Sequence, residues 1–224
     1  MRTVFFDLDG TLTDPMPGIT GSIRYALDKL GIEAPAPSAL TWCIGPPLQE
    51  SFLKLVGDEA RAATALAYYR DRYGETGLYE CRVYDGIPAV LESLVAAGRR
   101  LFVATSKPTV YARRVVAHFG LEPYFAAVFG AELDGVRSEK TALLGHALAA
   151  TDTRPENAVM IGDRSHDMIG ARRNAMAAIG VLWGYGDRQE LLTAGAERLA
   201  ATPEALLQAL IEQPACSPVP IPRP

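Results

Sequence analysis

Two carboxylates two residues apart, Asp7 and Asp9, close the short apolar run Val4-Phe5-Phe6, and Gly10 and Thr11 follow at once. The run reads as a buried strand that delivers its side chains to a glycine turn. At an effective dielectric near 20, two like charges about 4 Å apart repel by roughly 4 kcal/mol. Such a pair at the mouth of a buried strand suits a metal, or a nucleophile beside a proton donor. Residues two apart in a strand share a face, so the two groups should converge unless the backbone bends at the glycine. A turn-capping pair is the plain alternative. A calcium loop fails on spacing: it needs acidic or amide groups at the first, third and fifth places and Glu at the twelfth, where this chain has Asp7, Asp9, Thr11 and Gly18.

A second acidic cluster, Gly162-Asp163-Arg164-Ser165-His166-Asp167, directly follows the apolar run Val159-Met160-Ile161. Asp163 falls where open parallel sheets place their ligand sites, outside the carboxyl ends of the strands. Asp167 falls in the first turn of the next helix, where a carboxylate also favours the helix dipole. Four carboxylates at one sheet edge call for a divalent cation, and an all-oxygen set favours Mg²⁺ over zinc. Thr105-Ser106-Lys107 closes a third apolar run, and a helix opens near Pro108. Hydroxyls and backbone amides there form a ready phosphate site, although an ordinary N-cap uses the same residues. Lys140 opens the helix 141–150, where its charge opposes the dipole; neutralising phosphate or carboxylate is one reason for it, a solvated loop lysine the other.

These residues must be positioned by alternating elements. Leu101-Phe102-Val103-Ala104 and Ile179-Gly180-Val181-Leu182 are further strand runs, and 87–97 and 141–150 carry apolar residues at helical spacing. Strands apolar on both faces, alternating with helices, predict an α/β protein with a parallel sheet covered on both sides. From Pro15 to Tyr84 the pattern is helical only, which predicts an inserted helical domain over 15–84 and a core made of 1–14 and 85–213. Five prolines between Pro214 and Pro224 predict an extended tail. The composition is globular: 224 residues, 49% hydrophobic, with a net charge of −4 that offers no general field for nucleic acid or anionic lipid. Asp7 interrupts any signal-peptide core, and no segment reaches the roughly 18 apolar residues of a membrane span. Cys43, Cys81 and Cys216 fit neither a disulfide framework nor a zinc site, and read as reduced thiols of a cytoplasmic protein.

There is no GxSxG, no Walker loop and no GxGxxG after a strand. In order, however, Asp7-Leu8-Asp9-Gly10-Thr11, Thr105, Lys140 and Gly162-Asp163…Asp167 resemble the four motifs of the haloacid dehalogenase (HAD) superfamily of aspartate-nucleophile phosphatases. The resemblance runs from Met1 to about Leu210 and implies a Rossmann-like parallel sheet core with a helical cap inserted between the first two motifs. It implies that Asp7 attacks phosphorus and that Asp9 protonates the leaving oxygen and then activates water. Thr105, Ser106 and Lys140 would bind the phosphoryl group. The Asp7 carboxylate, the Asp9 backbone carbonyl and Asp163 would hold Mg²⁺, supported by Asp167. Gly45-Pro46-Pro47-Leu48, Tyr79 to Ile87 and Gly184-Tyr185-Gly186 resemble the phosphoglycolate phosphatase and bacterial 5′-nucleotidase branch. Cap aromatics Trp42, Tyr68, Tyr69 and Tyr73 could stack a base or pack the cap's own core. The implied partner is a small soluble phosphate ester, favouring nucleoside 5′-monophosphates, with phosphoglycolate as the alternative; a monomer or homodimer is expected. A phosphomutase, a receiver domain and a non-catalytic phosphate-binding protein are the remaining readings.

Overall fold

The computed structural model describes residues 3–211; the proline-rich tail and Cys216 lie outside the described residues. The chain opens with β1 (Thr3–Phe6), whose side chains alternate between two cores, and β2 (Thr13–Asp14) follows the acidic turn. Three helices come next: α1 (Met16–Lys29), α2 (Leu48–Val56) and α3 (Glu59–Arg72). They are joined through a 3₁₀ segment at Pro37–Cys43 and end in a wide π-helical turn at Tyr73–Gly77. The chain returns through β3 (Arg82–Val83), which pairs antiparallel with β2. No strand was expected between 15 and 84. This ribbon, two residues on each side, joins the helical block to the rest and is too short to carry a period.

Beyond it the βα alternation is regular. In order come α4 (Ile87–Ala96), β4 (Arg100–Pro108), α5 (Thr109–His118) and β5 (Ala127–Ala131). Then follow α6 (Lys140–Ala150), β6 (Ala158–Gly162), α7 (Ser165–Arg173) and β7 (Ala177–Val181). The last elements are α8 (Arg188–Ala194), β8 (Arg198–Ala200) and α9 (Pro203–Ile211). Six strands form one parallel sheet in the order β5-β4-β1-β6-β7-β8. The α/β parallel sheet expected from the apolar runs is therefore present. β5 and β8 were not read from the sequence: one is broken by Gly130, the other is Arg-Leu-Ala, and both are edge strands with half-exposed residues.

Successive strand residues face opposite sides, and the two cores follow from that. Val4, Phe6, Val103, Val159 and Ile161 join α4, α5, α9 and the inserted helices on one face. Phe5, Phe102, Ala104 and Met160 meet α6 and α7 on the other. β1 lies between β4 and β6, so the chain leaves it in opposite directions, and that crossover opens a crevice at the carboxyl ends of the strands. No helix among the described residues is long and apolar enough to cross a membrane.

The inserted helices close tightly on themselves. Gly18 in α1 donates its N–H to Glu80 O at 3.0 Å, and a Cβ there would lie 2.0 Å from the backbone oxygen of Gly77. Arg72 clamps the same corner, donating to Ser22 and to both carboxylate oxygens of Glu80 at 2.9 Å. Gly18→Ala must push backbone apart, so it should cost about 2 kcal/mol and lower Tm by roughly 6 °C. An unchanged melting temperature would contradict this packing.

Candidate active site

β1 ends at Phe6, and the next residues turn sharply: Leu12 and Thr13 N–H groups both return to Leu8 O, and Gly10 takes φ +85°. The backbone thus bends at the glycine, the condition under which Asp7 and Asp9 were not expected to converge. Each takes its own lysine. Lys140 Nζ stands 3.0 Å from Asp7 Oδ1 and 2.7 Å from Asp167 Oδ1, and donates to Ala104 O at 2.9 Å. Lys107 Nζ stands 2.7 Å from Asp9 Oδ1. Lys140 is buried at the first residue of α6, so the solvated alternative for it is gone. Asp7 Oδ1 and Asp167 Oδ1 have no other partner than this ammonium.

The second acidic cluster arrives from β6. Asp163 is fully buried, accepting from Thr11 Oγ1 at 3.2 Å and from the Tyr185 N–H at 2.8 Å. The backbone fits closely around it. A Cβ at Gly10 would lie 2.2 Å from Asp163 Oδ2, and one at Gly184 would lie 2.3 Å from Asp163 Cβ. This explains the Gly184-Tyr185-Gly186 run: a residue without a side chain lets the loop after β7 reach the carboxylate. Asp167 caps the start of α7 by accepting from the Arg164 N–H at 3.2 Å, while its other oxygen faces Lys140. Asp167 therefore both caps the helix and pairs with Lys140.

Asp7, Asp163 and Asp167 each offer an oxygen within 4.8 Å of the others. With Lys140 the only ammonium among them, three buried carboxylates formally exceed it by two charges. The donor set is all oxygen and two of its atoms meet only the Lys140 ammonium, so a hard divalent cation fits. The Asp9 carboxylate is turned away to Lys107, which leaves only its backbone for such an ion. Burial pushes Asp163 well up, with Asp167 and Asp7 adding to it. Burial also raises Asp167, to about 6, against the pull of Lys140. Burial lifts Asp9 too and outweighs Lys107. For Lys140, burial acts downward, but Asp167 and Asp7 overcome it and hold the ammonium above its usual range.

Thr105 and Ser106 stand at the end of β4 and line a cleft of about 170 Å³ above Asp7 and Asp9. The inserted helices roof it with Pro46, Pro47, Leu48, Leu66, Tyr69 and Tyr73, and Tyr111 of α5 closes the side. Tyr69 and Tyr73 stack at 4.9 Å between ring centres. Trp42 is exposed beneath Lys54, and neither it nor Tyr68 lines the cleft. Cys43 lines it too, but burial pushes its thiol up to about 11, which removes it as a nucleophile at neutral pH. Two arginines join roof to floor: Arg164 Nη1 donates to Ile44 O at 2.6 Å and Arg70 Nη2 to Leu133 O at 2.7 Å. Lys107 is the buried cation of the cleft that motif spacing left out. Its signal was a charged side chain in an otherwise buried strand end.

Residues 4–181 match the haloacid dehalogenase-like hydrolase family, and the chain belongs to it. It is 49% identical to a 5′-nucleotidase of Pseudomonas aeruginosa over 208 residues, 92% of this chain and 94% of that one. It is 44% identical over 185 residues to the tyrosine-protein kinase PtkA of Mycobacterium tuberculosis, covering 83% of this chain and 63% of the kinase. A solved structure described as a predicted phosphatase from Clostridium acetobutylicum superposes with a TM-score of 0.91 at 43% identity. The match covers 95% of this chain and 99% of that one. The protein is a HAD-type phosphatase.

A carboxyl with a raised pKa holds its proton more tightly when folded. For Asp167 that stability is complete below 3.8 and is lost as the pH rises through about 6. Asp163 and Asp9 act in the same direction. In EDTA, Tm should therefore fall as the pH rises from about 4 to about 7. A cation needs the ionised carboxylates, so the rise in Tm on adding Mg²⁺ should grow over the same window and vanish in Asp163→Asn. A Mg²⁺ shift that stays constant with pH would contradict the assignment.

Proposed function

We propose that this phosphatase is Mg²⁺-dependent, forms an aspartyl-phosphate, and acts on nucleoside 5′-monophosphates. The observation that carries the proposal is the placement of Asp7 at the end of β1, beside Lys140 and below Thr105 and Ser106, with Asp9 next to it. A carboxylate oxygen of Asp7 attacks phosphorus while the bond to the ester oxygen breaks, and Asp9 gives that oxygen its proton. Asp9, now ionised, takes a proton from water. The water oxygen attacks phosphorus, the bond to Asp7 breaks, and phosphate leaves with both carboxyls restored. Lys140 pairs with Asp7 and offsets charge, while the Thr105 and Ser106 hydroxyls and amides hold phosphoryl oxygens. Asp7, Asp163, Asp167 and the Asp9 carbonyl would hold Mg²⁺, which when bound supplies charge neutralisation and orientation for the phosphoryl group.

The segment 15–84 is the cap in this proposal, closing over the ester and excluding bulk water. Two features favour a nucleoside over phosphoglycolate. Tyr69, Tyr73 and Tyr111 give the cleft an aromatic wall suited to a planar base. Of its two cations, Lys107 is already paired with Asp9 while Arg70 gives one donor to Leu133 O, and Glu132 also lines the cleft, which weakens its pull on a substrate carboxylate. The similarity to the P. aeruginosa 5′-nucleotidase points the same way. The two thiols among the described residues are unpaired, which supports a reducing, cytoplasmic setting. Transfer to a protein tyrosine is a second reading, favoured by the similarity to PtkA.

Phosphate release should be measured on nucleoside 5′-monophosphates, phosphoglycolate and sugar phosphates, with Mg²⁺ and with EDTA. The expected result is Mg²⁺-dependent turnover, highest kcat/KM on a 5′-monophosphate, and a loss of at least about 10³-fold in Asp7→Asn. Turnover that survives in Asp7→Asn would overturn the mechanism, and a preference for phosphoglycolate would overturn the substrate. Net transfer from ATP to a tyrosine peptide, without phosphate release, would favour the second reading.

A further inference from the structure

Lys107 does more than line the cleft. Its ammonium, almost wholly buried, lies 2.7 Å from Asp9 Oδ1 and donates to the Tyr73 hydroxyl at 2.6 Å. Lys107 belongs to the core strand β4, where the register with β5 shifts between Thr105 and Pro108, and its N–H donates to Thr105 Oγ1 at 3.3 Å. Tyr73 begins the π-helical turn at the end of α3, in the inserted helices. Its ring is fixed by stacking on Tyr69 and by edge contact with Tyr111 at 5.8 Å. Three distant segments thus meet in one polar chain: β1's turn through Asp9, β4 through Lys107 and the roof through Tyr73.

We infer that Lys107, held in place by Tyr73, is the positioning residue that aims the Asp9 proton at the leaving oxygen, and that it does so only when the roof is closed over the site. The inference rests on the acid role given to Asp9 above. A carboxyl has two oxygens, and an acid is efficient only when the one carrying the proton faces the departing group. Lys107 has only donors to offer, so it occupies Oδ1 in a form that cannot carry the proton, and the proton is confined to Oδ2. Among the described residues Oδ2 accepts no hydrogen bond, and Asp9 lines the cleft. A lysine with four rotatable bonds is a poor fixture by itself. The Tyr73 hydroxyl supplies its second anchor, and that anchor moves with the inserted helices. Opening the roof removes it, so the acid is aimed only when the ester is enclosed.

The test uses a leaving group that needs a proton against one that does not. Wild type, Lys107→Met and Tyr73→Phe are compared with Mg²⁺ on three esters: adenosine 5′-monophosphate, glycerol phosphate and p-nitrophenyl phosphate. The parameter is kcat/KM, which reports only steps up to the first irreversible one and so excludes the later hydrolysis of the intermediate. Lys107→Met should lose about 100-fold on the alkyl esters and less than about 5-fold on the nitrophenyl ester, the margin expected of a general acid. Tyr73→Phe keeps the stacked ring and the fold, and should show the same bias at about 10-fold. Equal losses on all three esters, or no loss, would overturn the inference and leave Lys107 a structural residue. A wild type inactive on every ester would instead overturn the phosphatase mechanism itself, and this inference with it.

Discussion

The Lys140 ammonium, buried between Asp7 and Asp167 at the start of α6, is the contact on which the site depends. Burying carboxylates without compensation is costly, and one partner removed from a buried ion pair leaves an unpaired charge worth roughly 3–5 kcal/mol. Lys140 sits where the dipole of its own helix opposes it, so only the two carboxylates justify its position. Those carboxylates come from β1 and α7, and their meeting requires β1 and β6 to be neighbours in a parallel sheet with their carboxyl ends together. The sheet order is in this sense the way the chain brings three acids to one lysine. Burial, with neighbouring carboxylates adding to it, pushes Asp163 and Asp167 upward, and the three acids still exceed the lysine in charge, so a divalent cation fits there.

Close packing follows from the same constraint. A carboxylate that must be buried and hydrogen-bonded has to be approached by backbone. Gly10 and Gly184 are the residues that permit it, on the two sides of Asp163. Thr11 and Tyr185 then supply the donors, and the Trp183 indole fixes the same loop to Thr11 O at 3.0 Å. The roof reaches this floor through hydrogen bonds from Arg70, Arg164 and Lys107, and through Arg114, which donates to the Tyr79 hydroxyl. In the proposed mechanism the roof is the element that opens and closes during turnover.

Much of this was legible in the chain because the chemistry is local in sequence. Asp7 with Asp9, and Asp163 with Asp167, stand directly after apolar runs, and Lys140 stood out by opposing its helix. The four continuous apolar runs became β1, β4, β6 and β7. What was not legible depends on the third dimension. β5 and β8 are short edge strands whose Gly, Ala and Arg carry no strand signature. The divergence of Asp7 and Asp9 arises because the strand stops at Phe6, before the alternation that would have aligned them. Lys107 gained its meaning only when a shift in β4 and a tyrosine 34 residues away met Asp9.

In the proposed mechanism Asp7, held by Lys140, becomes covalently phosphorylated and passes the group to water. The most direct measurement is a rapid acid quench of the protein turning over its best substrate with Mg²⁺, followed by mass spectrometry of the peptides. A phosphoryl adduct that maps to Asp7, appears within the first turnover and decays as substrate is exhausted is the result expected. Phosphate released across the same time series with no adduct on Asp7, or with the adduct on another residue, would contradict it.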